Sequence, residues 1–229
     1  MTCFYLYDNN KLLITDSQYQ KEVSMTQKYT LTLVDFQNDF VAPSGALTFD
    51  NGKGDLKLIK KMTAFFQKLP QTVIANAIVT YDTHDLKTYS TTPESKQFPP
   101  HCIKGTNGWD LAINTDLLHD KIPHIQYLKK STYDMWEKTI DTVDTKILKD
   151  TKKVILCGVA SDVCNKAALL GWLKKDVEIT ILEDLTRGIF KQTADVLKEP
   201  PFAQAVAKGK IKTLTAQNFL KHVKERRYE

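Results

Sequence analysis

Long apolar runs are missing from this 229-residue chain: none approaches the ~18 residues needed to cross a bilayer. The opening MTCFYLYDNNKLLITDSQ also lacks a basic leader, and Asp8 to Lys11 interrupt its apolar stretch, so it is not a secretory signal. Cysteine is scarce, four residues without framework spacing, which excludes a disulfide scaffold and points to a reducing compartment, the cytoplasm. An excess of one charge is lacking too. The 32 Lys+Arg against 27 Asp+Glu give only +5, spread along the chain, so no nucleic-acid tract is expected. Internal repeats and low-complexity segments are absent. A single soluble α/β domain with one sizeable core is what this length allows.

Regular punctuation starts near Tyr29. TLTLVDF, Thr72–Thr80, HIQYLKK, KVILCGV, VEITIL and KIKTL read as short, apolar or β-branched strands. Helical spacing fills most gaps between them: Asp55–Leu69, a helix within TIDTVDTKILKD, one over SDVCNKAALLGWLKK, and a terminal AQNFLKHVKERR. Alternation of this kind predicts a doubly wound, mostly parallel central sheet with helices on both faces, a Rossmann-like three-layer arrangement. Residues 29–229 form the expected domain. Residues 1–28 do not share its rhythm and are read as an N-terminal extension, with Met25 a second candidate start.

In such a sheet ligands bind beyond the carboxyl ends of the strands. Asp35, Lys130 and Cys164 lie at or just past such ends. Ser161 is a good N-cap, which puts Cys164 in the first helical turn, where the helix dipole favours a thiolate. Cys157 falls inside its strand and should be inert packing. From position alone, Cys164 is equally readable as a nucleophile or as a small packing residue. The loop from Tyr81 to about Asp116 carries Asp82, His84, Glu94 and His101-Cys102 behind Pro99-Pro100. Two histidines and two carboxylates are ligand types for one divalent ion, zinc first, manganese or iron otherwise.

Taken together, VDFQNDF with its following GAL, YDTHD, FPPHCIKGTNGWD, LKKSTYDMW and GVASDVCNKAALLG resemble the isochorismatase-like cysteine hydrolases, and within them the nicotinamidases. The resemblance runs from about Tyr29 to the C-terminus. It implies that Cys164 is the nucleophile, Asp35 the general base and Lys130 the third member of a triad. It further implies a cis peptide between Val159 and Ala160, an oxyanion hole from the N–H groups of Ala160 and Cys164, and metal ligation by Asp82, His84 and His101. Glu94 is expected as the fourth ligand, with Ser90 as the alternative. Phe40 and Phe98 are expected to wall the substrate ring, Phe98 standing where relatives often have tryptophan. The implied reaction is hydrolysis of nicotinamide, in NAD salvage, through a thioester. A ureido or carbamoyl amide as substrate, a metal-hydroxide hydrolase and a non-catalytic binding module are the alternatives. The implied partners are the small-molecule substrate and, as one option, further copies of the chain; no nucleic acid and no membrane are expected.

Overall fold

The computed structural model describes residues 28–225. The expected extension over residues 1–28 therefore lies outside the described residues, apart from Lys28. Six strands form the sheet: β1 (Tyr29–Val34), β2 (Ile74–Asp82), β3 (His124–Lys130), β4 (Lys153–Val159), β5 (Glu178–Arg187) and β6 (Ile211–Leu214). Their order is β3-β2-β1-β4-β5-β6, and every neighbouring pair is parallel. The mostly parallel sheet anticipated from the alternation is thus parallel throughout. The order reverses between β1 and β4, and a crevice at such a switch point is where this architecture takes its ligands.

The helices are α1 (Asn38–Val41), α2 (Leu56–Lys68), α3 (Asp116–His119), α4 (Thr145–Asp150), α5 (Cys164–Leu173), α6 (Thr193–Val196), α7 (Phe202–Ala207) and α8 (Ala216–Glu225). One face of the sheet is covered by α2 and α8, which contribute Leu58, Met62, Phe65, Phe66, Phe219, Leu220 and Val223 to one core. Residues from α4 to α7, including Ile147, Ala168, Leu169, Trp172, Val196 and Phe202, pack the other. Strand alternation divides β4 between them: Ile155 and Cys157 face the first core, Val154 and Leu156 the second. Each large apolar side chain so buried contributes roughly 1.5–3 kcal/mol before entropy is counted. Trp172 is fully buried and its indole N–H donates to Thr32 Oγ1 at 3.0 Å, which fastens α5 to β1 without an unpaired donor.

Asp55 caps α2 by accepting the Leu58 N–H at 2.9 Å. Two expected boundaries differ. TIDTVDTKILKD is helical only from Thr145, because Asp144 caps at Lys146 while the preceding residues bond to β3: Lys129 N–H donates to Asp141 and Gln126 to the Thr142 carbonyl. The helix expected over Ser161–Lys175 begins at Cys164, with Val163 in the cap position and no side-chain cap. Among the described residues, no helix is long and apolar enough to cross a membrane.

Candidate active site and metal centre

Four strand ends deliver the polar residues. Asp35 follows β1 with φ of 43°, a left-handed conformation that aspartate tolerates better than most residues. Its N–H donates to Thr80 Oγ1 at 3.0 Å, and the Thr80 hydroxyl donates back to Asp35 Oδ1 at 2.5 Å. Gly158 makes the close approach of β4 possible. A Cβ there would lie 2.1 Å from the Val34 carbonyl oxygen, and its φ is +111°. The next peptide, Val159–Ala160, is cis, as the resemblance implied.

Lys130, the last residue of β3, reaches across this junction. Its ammonium sits 2.7 Å from Asp35 Oδ2 and 3.9 Å from Asp82 Oδ1, and it donates to the Thr132 carbonyl at 2.9 Å and to Cys164 Sγ at 3.8 Å. Asp35, Lys130 and Cys164, far apart in sequence, therefore meet in one buried group. Burial works against the Lys130 charge. The carboxylates of Asp35 and Asp82, with the Cys164 sulfur, outweigh it and raise the ammonium well above its usual range.

Opposing influences act on the Cys164 sulfur. Burial pushes the thiol well above its ordinary value, Lys130 opposes, and the carboxylates of Asp35 and Asp82 add to the rise. The N-terminal position on α5 works in the same sense as Lys130, toward the charged form. The Ala160 carbonyl accepts from the N–H groups of Val163 (3.1 Å) and Asn165 (3.0 Å), passing over that of Cys164. Cys157 is fully buried in the sheet, with its thiol raised by desolvation.

Asp82 ends β2, and the chain returns beside it: His84 N–H donates to the Cys102 carbonyl and Lys104 N–H to that of His84. This short parallel bridge brings His101 back to His84. Asp82, His84, Glu94 and His101 are all buried, with one ligand atom from each lying within 4.8 Å of the others. His84 Nε2 is 3.1 Å from Asp82 Oδ2 and 3.2 Å from Glu94 Oε2, and His101 Nε2 is 3.1 and 3.7 Å from the same two oxygens. Ser90 is exposed, and Glu94 completes the cluster.

The donor set fits a divalent ion. Two imidazole nitrogens and two carboxylates converge, and Asp82 Oδ1 is buried without a hydrogen-bond donor among the described residues. The Nδ1 of His101 faces the Pro99 carbonyl at 2.8 Å, which fixes the tautomer that leaves Nε2 free to ligate. Burial would raise Asp82, but Lys130 and the two histidines hold its carboxyl well below the usual range. Burial would also lower His84, yet the carboxylates of Asp82 and Glu94 bring it up to about 9.

Three supporting side chains were not singled out from the sequence, although two stand inside VDFQNDF. Gln37 is fully buried; its amide oxygen accepts the Asp82 N–H at 2.8 Å and its nitrogen donates to the Asp82 carbonyl at 2.9 Å. Asp39 accepts the N–H groups of Cys102 (2.7 Å) and Ala46 (2.8 Å), tying the His101 loop to the GAL loop. Tyr89 donates to the Phe98 carbonyl at 3.0 Å and lies 3.2 Å from His101 Nδ1. An amide or phenol in a loop gives no periodic signal, so only the fold reveals these partners.

One cleft joins the two clusters. It is partly open and is lined by Cys164, Ala160, Asp82, Glu94 and His101 together with apolar walls. Phe40 and Phe98 line it as expected, their rings 5.5 and 6.3 Å from that of His101. Phe49, Tyr133, Val163 and Ile189 line it too, and the sequence did not point to them.

The chain is 31% identical over 145 residues to an uncharacterized isochorismatase family protein, PncA, of Bacillus subtilis, covering 60% of this chain and 74% of that one. It is 28% identical over 197 residues to the nicotinamidase of Saccharomyces cerevisiae, covering 70% of this chain and 88% of that one. Among solved structures, the pyrazinamidase of Pyrococcus horikoshii in complex with zinc superposes with a TM-score of 0.59 at 26% identity, covering 82% and 99% of the two chains. The family model for the isochorismatase domain matches residues 29–199, and the chain belongs to that family.

Proposed function

We propose that this protein is a nicotinamidase, which hydrolyses nicotinamide to nicotinic acid and ammonia through a thioester on Cys164. The observation that carries the reading is one cleft lined by Cys164 together with Asp82, Glu94 and His101 of a buried two-histidine, two-carboxylate cluster, with Lys130 and Asp35 buried behind the sulfur. In this reading the reaction belongs to NAD salvage in the cytoplasm. A ureido or carbamoyl substrate is disfavoured because it has no ring nitrogen for the metal centre.

An amide is a weak electrophile with a poor leaving group, so the site must supply a nucleophile, a proton and charge stabilisation. Cys164 enters as a thiol, the form its burial favours. As Sγ attacks the carbonyl carbon, Asp35 takes the thiol proton, and the Lys130 ammonium 3.8 Å away stabilises the developing negative charge on sulfur. The N–H groups of Ala160 and Cys164 receive the oxyanion, a contribution of roughly 3–4 kcal/mol per donor in comparable sites. Asp35 then returns its proton to the departing ammonia. In the second half, Asp35 accepts a proton from the water that attacks the thioester, and Cys164 is regenerated. Asp82, His84, Glu94 and His101 would hold one divalent ion, zinc in preference to manganese or iron, whose Lewis acidity gives the pyridine nitrogen a point of attachment. Phe40 and Phe98 flank the ring.

The test is ammonia release by the purified protein from nicotinamide, compared with a ureido amide of similar size. Turnover of nicotinamide is the expected result. Release from the ureido compound alone would overturn the assignment.

A further inference from the structure

Asp162 stands two residues before Cys164 and takes no part in the chemistry above. Its carboxylate accepts three successive backbone donors from another loop: Oδ1 from Ile189 at 2.9 Å, Oδ2 from Phe190 at 2.7 Å and from Lys191 at 2.9 Å. The two loops are fastened at further points. Ser161 N–H donates to the Arg187 carbonyl at 2.8 Å, and Thr193 Oγ1 donates to Ser161 Oγ at 3.2 Å. Within the second loop itself, Gln192 Oε1 accepts the Gly188 N–H at 3.1 Å.

Residues 188–191 thus form a tight turn wrapped on a carboxylate. A Cβ on Gly188 would lie 1.9 Å from the Lys191 carbonyl oxygen, so the turn admits no larger residue there. It belongs to no strand or helix, and hydrogen bonds to Asp162 replace a regular ladder. Its consequence for the site is direct. Ile189, 38% exposed, lines the cleft that Ala160, Val163 and Cys164 also line, whereas Phe190 is 85% exposed. The position of one apolar wall of the cleft is therefore set by a charged group two residues before the nucleophile.

We propose that Asp162 is a positioning residue for substrate selection: it holds the 188–191 turn so that Ile189 limits which ring substituents fit beside Cys164. The ligand class selected is a planar aromatic carboxamide with a bare edge toward Ile189. This rests on the nicotinamidase reading and extends it to specificity.

The experiment uses the metal-loaded full chain, with D162A, D162N and I189A as variants. Steady-state kinetics are measured on nicotinamide and on ring-methylated nicotinamides, and hydrogen exchange is followed at Phe190 and Lys191. D162A should raise KM for nicotinamide by about tenfold or more with kcat largely retained, since the turn loses all three of its hydrogen bonds to the carboxylate. In both D162A and I189A, kcat/KM for a methylated amide relative to nicotinamide should rise by a similar factor, and D162A should quicken exchange at both amides. D162N, which keeps an acceptor oxygen, should fall between D162A and wild type. An unchanged substrate ratio in D162A and I189A overturns the proposal. So does a fall in kcat for all amides at constant KM, which would mean that Asp162 serves the nucleophile. If D162A fails to fold, D162N and I189A carry the same comparison. A wild-type protein idle on every pyridine carboxamide would instead refute the nicotinamidase reading, while faster exchange in D162A would still support the clamp.

Discussion

Replacing Lys130 by methionine removes the cation on which both halves of the site depend. At 2.7 Å from Asp35 and an effective dielectric of 20, the attraction is roughly 6 kcal/mol, and the contact with Asp82 at 3.9 Å adds roughly 4 kcal/mol. These terms offset the desolvation of an ammonium that is 1% exposed, so the net contribution is far smaller than their size suggests. Breaking the pair from one side leaves an uncompensated buried charge. Lys130→Met should therefore cost about 3–5 kcal/mol, and Asp35→Asn a similar amount. The double variant removes both charges and should recover much of that loss, since a buried pair replaced as a unit is often nearly neutral. Urea denaturation of the four proteins at neutral pH measures the cycle. Activity should be lost in all three variants, including the stable double one, which separates catalysis from folding. A coupling below about 0.5 kcal/mol, with the single effects simply adding, would refute the view that Lys130 and Asp35 form one buried electrostatic unit.

Further outcomes follow from the same geometry. Because burial and the Asp35 and Asp82 carboxylates raise the Cys164 thiol despite Lys130, its alkylation by iodoacetamide should be slow at neutral pH and accelerate as pH rises; a fast, pH-independent reaction would contradict this. Asp35→Asn removes one raising charge and frees Lys130 to face the sulfur, so alkylation of Cys164 at neutral pH should quicken in that variant. Glu94→Gln should weaken zinc binding measured by chelator competition, whereas Ser90→Ala should not, since Ser90 is exposed outside the cluster. Tyr89→Phe should weaken zinc binding by about tenfold, the usual effect of losing a partner that orients a ligating histidine.

Much of the fold was legible because its signals are local. The strand KVILCGV has the bounds expected from its apolar run, and the α2 helix starts where Asp55 caps it and stops beside Leu69. Boundaries failed where side chains bonded across the chain. Residues 139–143, Thr-Ile-Asp-Thr-Val, are weak helix formers on the edge of a helical stretch, and the partners of Asp141 and Thr142 lie on β3. Among site residues, the sequence grouped Asp35, Lys130 and Cys164 only through strand ends and resemblance; the distances among them are products of the sheet order. The influences on Cys164 are only half legible: the helix terminus is visible in sequence, but the buried carboxylates around the sulfur are not. Gln37, Asp39 and Asp162 were overlooked for a related reason. Each acts on the backbone of a remote loop, and no spacing along the chain encodes that contact.

The central claim is that Cys164 carries the acyl group, and rapid quenching of the protein during turnover of nicotinamide, followed by intact and peptide mass spectrometry, tests it most directly. The account predicts a transient mass increase of one nicotinoyl group, confined to the peptide containing Cys164 and missing from Cys164→Ala, which should bind zinc yet release no ammonia. Steady ammonia release with no adduct on Cys164, or sustained by Cys164→Ala at the wild-type rate, would contradict it.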